Sequence, residues 1–307
     1  MSFDVKDAII RFSRPIVRAG VRYCPLLQVR RILWDRCAKP MYAWRPYWFT
    51  TTTTFGAAIS GNTGDLIPSH LYYFGLWEPA ISAWIASRLR AGDTFVDVGS
   101  NIGYFSLLAA NRVGRKGKIV SIEACPTVYD SLERNCSLNA YGNIRTVHVA
   151  VSDRAGTVTL YRGPEKNSGA ATIITDGNAT GGTTVAALPL PDILKPEECE
   201  SLRLIKVDVE GAEYLVLSGA LPLLKSAGSQ LEVVVELHPG LLSKQGRSVD
   251  DVFALMKSAG FQAYSFGGDS SDDSYFRPVR VQRPHRVYHT SEVAETVVFS
   301  HSDLDSI

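Results

Sequence analysis

The chain has 307 residues, 45% hydrophobic and 21% charged, with 32 Lys+Arg against 31 Asp+Glu. This composition excludes a disordered chain, and at this length roughly three quarters of the unfolded surface can be buried, which allows one large domain with additions. The absence of any run of about 18 apolar residues excludes a membrane-spanning helix. Cys24, Cys37, Cys125, Cys136 and Cys199 are scattered and form no CxxC pair. The opening MSFDVKDAIIRFSRP has no apolar core or small-residue cleavage site of a secretory leader. Together these features argue against a disulfide framework or a zinc site and predict a reducing cytoplasm.

Charge is unevenly placed along the chain. Residues 1–48 carry ten Lys/Arg and three Asp, a balance of +7, whereas the remainder carries 22 basic and 28 acidic residues, a balance of −6. The basic stretch mixes apolar residues with Arg and ends in Trp34, Tyr42, Trp44, Tyr47 and Trp48. Its plainer reading is a helical cap whose Arg stems cover the domain behind it. The second reading is a segment lying on the anionic inner face of a membrane, where basic and interfacial aromatic residues both gain. Nucleic acid is disfavoured, because nothing else in the chain is basic on balance.

Next along the chain, the Thr50–Thr54 run and FGAAISG predict β structure, and residues 71–89 predict a helix interrupted near Pro79. An alternation follows. Strands are expected at 93–99, 118–124, 144–152, 202–211 and 231–238, and helices at 102–113, 126–139, 212–227 and 248–260. Residues 261–266 and 295–301 close the pattern as strands. Such alternation defines a parallel sheet with helices on both faces, and right-handed crossovers place the parallel strands' carboxyl ends on one ligand-binding rim. Two segments interrupt it. Residues 153–190, rich in Gly and Thr, predict a β-hairpin and rim loop. Residues 267–289 carry Arg277, Arg280, Arg283, His285 and Arg286, either a solvated charged loop or a wall of the acceptor pocket.

The sharpest local signal is Asp97-Val-Gly99-Ser100-Asn101-Ile-Gly103, at the end of the first strand of the alternation and the start of a helix. Glycines let the backbone approach a ligand there, and the helix start offers free N–H groups. The spacing is not the GxGxxG of a nicotinamide enzyme, which leaves a nicotinamide oxidoreductase as a weak alternative. A carboxylate beside the turn repels a diphosphate but pairs with the amino group of an amino-acid cofactor. Glu123 ends the second strand, where a carboxylate accepts two ribose hydroxyls, and Ser152 and Asp153 end the third, within reach of an adenine. Amino acid, ribose and adenine in that order describe S-adenosylmethionine.

These residues, with SIEACP, AVSD, the NSG of the rim loop and above all IKVDVEGAEYLVLSGA, resemble the FkbM-type S-adenosylmethionine-dependent methyltransferases over about residues 64–266. The resemblance implies a class I methyltransferase α/β fold, Rossmann-like, with a seven-stranded sheet whose last strand is antiparallel. It divides the chain into an N-terminal extension, 1–63, and a methyltransferase domain, 64–307. It implies O-methylation of a sugar, glycolipid or related natural product. Carried over residue by residue, it assigns Asp97, Gly99, Ser100, Asn101, Gly103 and Tyr104 to the cofactor loop, Glu123 and Ala124 to the ribose side, and Ser152–Asp153 to adenine. Glu78, in GLWEP, is assigned to the methionine part. Ala124-Cys125 replaces the usual Pro-containing turn, and residues 1–48 have no counterpart.

Methyl transfer to an alcohol needs an aligned oxygen and a proton acceptor. The fourth strand ends Lys206-Val-Asp208-Val-Glu210-Gly211-Ala-Glu213. Lys206 and Asp208, two apart on a strand, share a side, and a buried Lys needs Asp208 or Glu236 as partner. Asp208, Lys206, Glu210, Glu236 and His238 are therefore the catalytic candidates, with His238 suited by its intrinsic pKa to act as base. Glu213 falls in a first helical turn, where capping competes with function. Asp208, Glu236 and His238 also form an acceptable Mg2+-type site, ranked behind metal-free catalysis. A cofactor-binding adaptor without turnover, working through residues 1–48 at the membrane, is the reading from another class.

Overall fold

A computed structural model describes residues 5–161, 182–266, 272–288 and 295–304, with backbone alone for 5–11, 42–44 and 295. The chain divides into two compact units, Met1–Ser82 with Asp269–Arg280, and Ala83–Gly268 with Val281–Ile307. Among the described residues no helix is long and apolar enough to cross a membrane.

The first unit opens with α1 (Val5–Tyr23) and α2 (Leu27–Leu33), a π-helical turn (Trp34–Ala38) and α3 (Lys39–Trp44). Antiparallel strands β1 (Trp48–Thr52) and β2 (Ala58–Asn62) follow, then α4 (Leu66–Phe74). Val17, Val21 and Trp34 pack with Phe49, Tyr72, Tyr73 and Phe74 in its core. Trp34, expected from the sequence among interfacial aromatics, is wholly buried. A buried indole must place its N–H, and Trp34 Nε1 donates to Asp272 Oδ2 at 3.0 Å. The hydrogen bond with His70 and the nearby Lys39 and Trp34 donors outweigh burial and hold the Asp272 carboxyl well below the usual carboxylate range. The helix expected over 71–89 is in fact two. The first starts at Leu66 and stops at Gly75, whose φ of 71° ends it, and Pro79 opens α5 (Pro79–Arg88).

The second unit contains β3 (Thr94–Val98), α6 (Tyr104–Val113), β4 (Lys118–Glu123), α7 (Pro126–Ser137), β5 (Ile144–His148), β6 (Ala150–Val151), β7 (Gly156–Leu160) and β8 (Thr183–Leu188). Short helices α8 (Leu190–Ile193) and α9 (Pro196–Cys199) lead to β9 (Leu202–Val207), α10 (Glu213–Ser226), β10 (Glu232–Leu237), α11 (Pro239–Lys244), α12 (Val249–Ser258), β11 (Gln262–Ser265), β12 (His285–Arg286) and β13 (Glu295–Ser300). The main sheet runs β12-β11-β13-β10-β9-β3-β4-β5. Strands β10, β9, β3, β4 and β5 are mutually parallel, and β13 is antiparallel to both β10 and β11. The seven expected strands are present with the last reversed, and His285–Arg286 adds an eighth, two-residue edge strand. All five residues of β3 are buried, as a parallel strand covered on both faces requires.

The third expected strand divides. Ile144–His148 stays in the main sheet, while Ala150–Val151 leaves it to pair in parallel with β8, which pairs antiparallel with β7. The expected hairpin of 153–190 is therefore β7 and β8; the NSG motif and 162–181 lie outside the described residues, as do 267–271 and His289. Gly219 of α10 sits against the exit of this strand, since a Cβ there would lie 2.2 Å from the Ser152 carbonyl oxygen.

At the amino end of β10, Glu232 is 1% exposed and accepts from Arg88 Nε at 2.7 Å and from Arg203 at 2.9 Å. Removing a buried partner leaves the remaining charges without compensation. Glu232→Ala is expected to lower unfolding free energy by about 3 kcal/mol in chemical denaturation, and a change under about 0.5 kcal/mol would show the cluster to be energetically idle.

Candidate active site

The carboxyl ends of β3, β4, β9 and β10 form one rim, and the charged candidates of the second unit collect along it. Asp97 is fully buried near the end of β3, directly across from its register partner Lys206 on β9. Its Oδ2 accepts from Ser106 Oγ at 2.6 Å, and Ser121 Oγ donates on to Ser106 at 2.7 Å. Its Oδ1 has no hydrogen-bond partner. Burial pushes the Asp97 carboxyl up, and the Lys206 charge and Ser106 bond only partly offset it. The sequence expected this carboxylate to meet a ligand's amine; here it is closed off from solvent.

The turn after β3 is forced by its surroundings. Gly99 has φ 77°, and a Cβ there would lie 1.8 Å from the Asp208 carbonyl oxygen, so only glycine fits. The Asp208 N–H donates to Val98 O at 3.0 Å and ties the ends of β3 and β9 together. Ser100 donates twice to the Ile122 carbonyl, and Asn101, at φ 51°, accepts from the Ile102 N–H with its own Oδ1. Gly103 caps α6 with φ 90°, and Tyr104 behind it is buried.

Glu123 crosses to this loop. Its Oε2 accepts from the Asn101 N–H at 2.9 Å and its Oε1 from the Cys125 N–H at 2.8 Å. Burial outweighs these amide bonds and lifts its carboxyl to about 7. The Ala124 carbonyl accepts from His148 Nε2, and His148 stacks on Tyr129 with centroids 4.6 Å apart. Ser152 Oγ donates to Asp153 Oδ1 at the start of the next loop.

Lys206, 4% exposed, donates to Asp208 Oδ2 at 2.8 Å, one of its two expected partners, and lies over the Phe105 ring at 4.8 Å. Beyond it, Glu210 and Gly211 turn with φ of 49° and 100°. Glu213 does two jobs at once: its Oε1 accepts from the Gly211 N–H at 2.8 Å and from His238 Nδ1 at 3.0 Å, while Oε2 is buried without a partner. His238 Nε2 faces Glu210 at 3.5 Å and Glu236 at 3.6 Å. Burial pulls the imidazole down, but the Glu213 bond and the fields of Glu236, Glu213 and Glu210 carry it up to about 9. His238 is therefore a cation at neutral pH, without the lone pair a general base needs. Burial pushes the Glu210 carboxyl up, against the pull of His238.

The trio Asp208, Glu236 and His238 gains no support as a metal site. Asp208 is paired with the Lys206 ammonium, and among the described residues no three His, Cys, Asp or Glu side chains are grouped to hold an ion. Glu78 belongs to the first unit, where its N–H donates to Tyr275 Oη at 3.2 Å and its φ is 41°. Among the described residues the non-glycines in the left-handed region are Glu78, Asn101 and Glu210, all selected from the sequence as site residues. Each such position costs roughly 1–3 kcal/mol and persists where surroundings impose it, commonly at functional sites. Ser106, Ser121 and Phe105 were not foreseen. The signal was the Ser inside the apolar run YFSLLAA, since a buried Asp one strand away needs a donor.

A parallel sheet in this order, with a reversed last strand and an acidic rim beside a glycine turn, defines the class I methyltransferase fold. Residues 97–263 match the Methyltransferase FkbM domain, and the chain belongs to that family. It is 28% identical over 182 residues to the hexuronic acid methyltransferase AglP of Haloferax volcanii, covering 59% of this chain and 69% of that protein. It is 32% identical over 163 residues to methyltransferase sdnD of Sordaria araneosa, covering 43% and 62%. The solved structure of Methyltransferase FkbM from Methylobacillus flagellatus is 14% identical, with a TM-score of 0.41, and the match covers 97% of this chain and 71% of that one.

The pH dependence of His238 is a direct check. Its folded-state pKa lies above the unfolded value of about 6.5, so its stabilising contribution is full below that pH and lost as pH rises through about 9. The melting-temperature gap between the native chain and His238→Gln is expected to be largest near pH 6 and to close toward pH 10. A gap constant across that range would contradict the charged assignment.

Proposed function

We propose that the protein transfers a methyl group from S-adenosylmethionine to a hydroxyl of a sugar, glycolipid or related natural product. The observation that carries this reading is the sign of the rim: Asp97, Glu123, Asp208, Glu210, Glu213 and Glu236 stand against Lys206 and His238. Such a rim favours a cationic sulfonium and ammonium and opposes a diphosphate, which disfavours a nicotinamide dinucleotide. The chain's residues fit the cofactor. Glu123 keeps a second lone pair on each oxygen for the two ribose hydroxyls, Ser152 and Asp153 would take the adenine end, and Gly99 to Gly103 would cradle the amino-acid part. Asp97 adds an acceptor, Oδ1, that no side chain uses.

When bound, the cofactor supplies an electrophilic methyl on a positively charged sulfur. Everything else falls to the protein. Asp208, held by Lys206, orients the acceptor hydroxyl. Glu210, whose carboxyl burial pushes up and whose side chain keeps 27% of its surface, receives the hydroxyl proton. His238 holds Glu210 and Glu236 in place as a cation and passes the role of base to them. The name of the Haloferax relative makes a hexuronic acid the first acceptor to try.

Two measurements test the reading. Calorimetry with S-adenosylhomocysteine is expected to give an affinity about tenfold weaker at pH 6 than at pH 8, because Glu123 must be ionised to accept the ribose, and Glu123→Gln should flatten that dependence. No binding at either pH would sink the cofactor. With a methyl-transfer assay, Glu210→Gln is expected to lower kcat about 100-fold while leaving cofactor affinity intact; an unchanged kcat would move the base elsewhere.

A further inference from the structure

The turn that carries the proposed base is held in shape by side chains rather than by its own backbone. Glu210 and Gly211 both lie in left-handed backbone, with φ of 49° and 100°, a conformation that a non-glycine residue keeps only where its neighbours impose it. The bond that closes the turn is slack, since the Ala212 N–H reaches the Val209 carbonyl at 3.5 Å. Two side chains supply the restraint. Glu213 Oε1 accepts from the Gly211 N–H at 2.8 Å, and Gln245 Nε2 donates to the Gly211 carbonyl at 2.8 Å. A residue's φ and ψ are the setting of its two flanking peptide planes. Holding the N–H of one plane and the C=O of the other therefore fixes Gly211, and with it the direction in which Glu210 leaves the chain.

Gln245 is delivered by α11, six residues that begin directly after His238. The Leu241 and Leu242 N–H groups both donate to the His238 carbonyl at 2.9 Å, and Leu242 is 0% exposed in the core. The N–H groups of Gln245 and Arg247 close on the Leu242 carbonyl at 2.9 and 3.0 Å. The segment is thus pinned to the core at its middle, while both of its ends reach the same turn. His238 does so through Glu213 and Glu210, and Gln245 through Gly211.

The geometry points to Gln245 as a positioning residue that braces the Glu210–Gly211 turn and so sets the Glu210 carboxylate, 3.5 Å from His238 Nε2, where it takes the acceptor proton. This deepens, and rests on, the reading of Glu210 as the base. Gln245 acts through the backbone and needs no contact with cofactor or acceptor.

The test is Gln245→Met in the full chain, which keeps an unbranched side chain of similar length and removes the donor. Gln245 is half-buried at the end of a short helix, so circular dichroism of the variant should match the native chain. The first readout needs no substrate: the His238 imidazole is titrated by NMR, its signal identified by its loss in His238→Gln. The native midpoint is expected at about 9. Releasing Glu210 withdraws one of the three carboxylates that face the ring, so the variant's midpoint should fall by about 0.5 pH unit or more. The second readout is methyl transfer, where kcat should fall about tenfold with acceptor KM and S-adenosylhomocysteine affinity unchanged within about twofold. A midpoint that Gln245→Met does not move overturns the inference whatever the rate does, and so does a lowered midpoint with an unchanged kcat. A lowered midpoint in a chain whose native form transfers no methyl group upholds the brace and removes the reaction proposed for it.

Discussion

Between β4 and β9 the chain leaving β3 must turn in a space that one methyl group would fill, since a Cβ on Gly99 would lie 1.8 Å from the Asp208 carbonyl oxygen. That closeness couples the two loops of the rim. The hydrogen bond from the Asp208 N–H to Val98 fixes where β9 ends, and the turn presents the Asn101 N–H to Glu123 on the neighbouring strand. Asp208, Glu123 and the glycine loop therefore cannot be adjusted independently. A change at the turn is transmitted to groups on both flanking strands, because close-packed interiors do not deform continuously.

The rim is an expensive arrangement held by the sheet beneath it. Asp97 and Glu213 are both 0% exposed, and each leaves one oxygen unpaired. Asn101 and Glu210 are held in left-handed backbone. Each feature opposes folding. The apolar residues of β3, β9 and β10, from Val96 through Val207 to Val235, supply the burial that offsets them. Polar strain concentrated at one end of an otherwise apolar sheet is the pattern expected where stability has been traded for a site. Ser106 and Ser121 show how locally the cost is contained: two hydroxyls in series satisfy one oxygen of the Asp97 carboxylate.

Much of the fold was legible because parallel strands buried on both faces read as short apolar runs, and Gly and Pro mark their ends. Asp97 and Glu123 stood out for the same reason, as acids ending such runs, and the two-residue spacing put Lys206 and Asp208 on one side while leaving Glu236 as a second possible partner. The splitting of IRTVHVAVS was not legible, since both halves favour β structure and no Gly or Pro separates them; only the competing partner, β8, draws Ala150 and Val151 away. The two-residue β12 is too short to leave a pattern. The charge of His238 was hidden because it depends on Glu210, Glu213 and Glu236 converging from separate turns and elements. Trp34 looked interfacial by composition, yet Tyr73, Phe74 and the carboxylate of Asp272 gave it a buried place.

The central claim is that this acidic, glycine-turned rim receives a cationic amino-acid nucleoside. A crystal structure of the full chain grown with S-adenosylhomocysteine tests it most directly. The account predicts electron density with ribose hydroxyls on Glu123 and the sulfur facing the loop from Asp208 to Glu210. Density for a dinucleotide at the Gly99 turn, or a rim that stays closed and empty at saturating ligand, would contradict it.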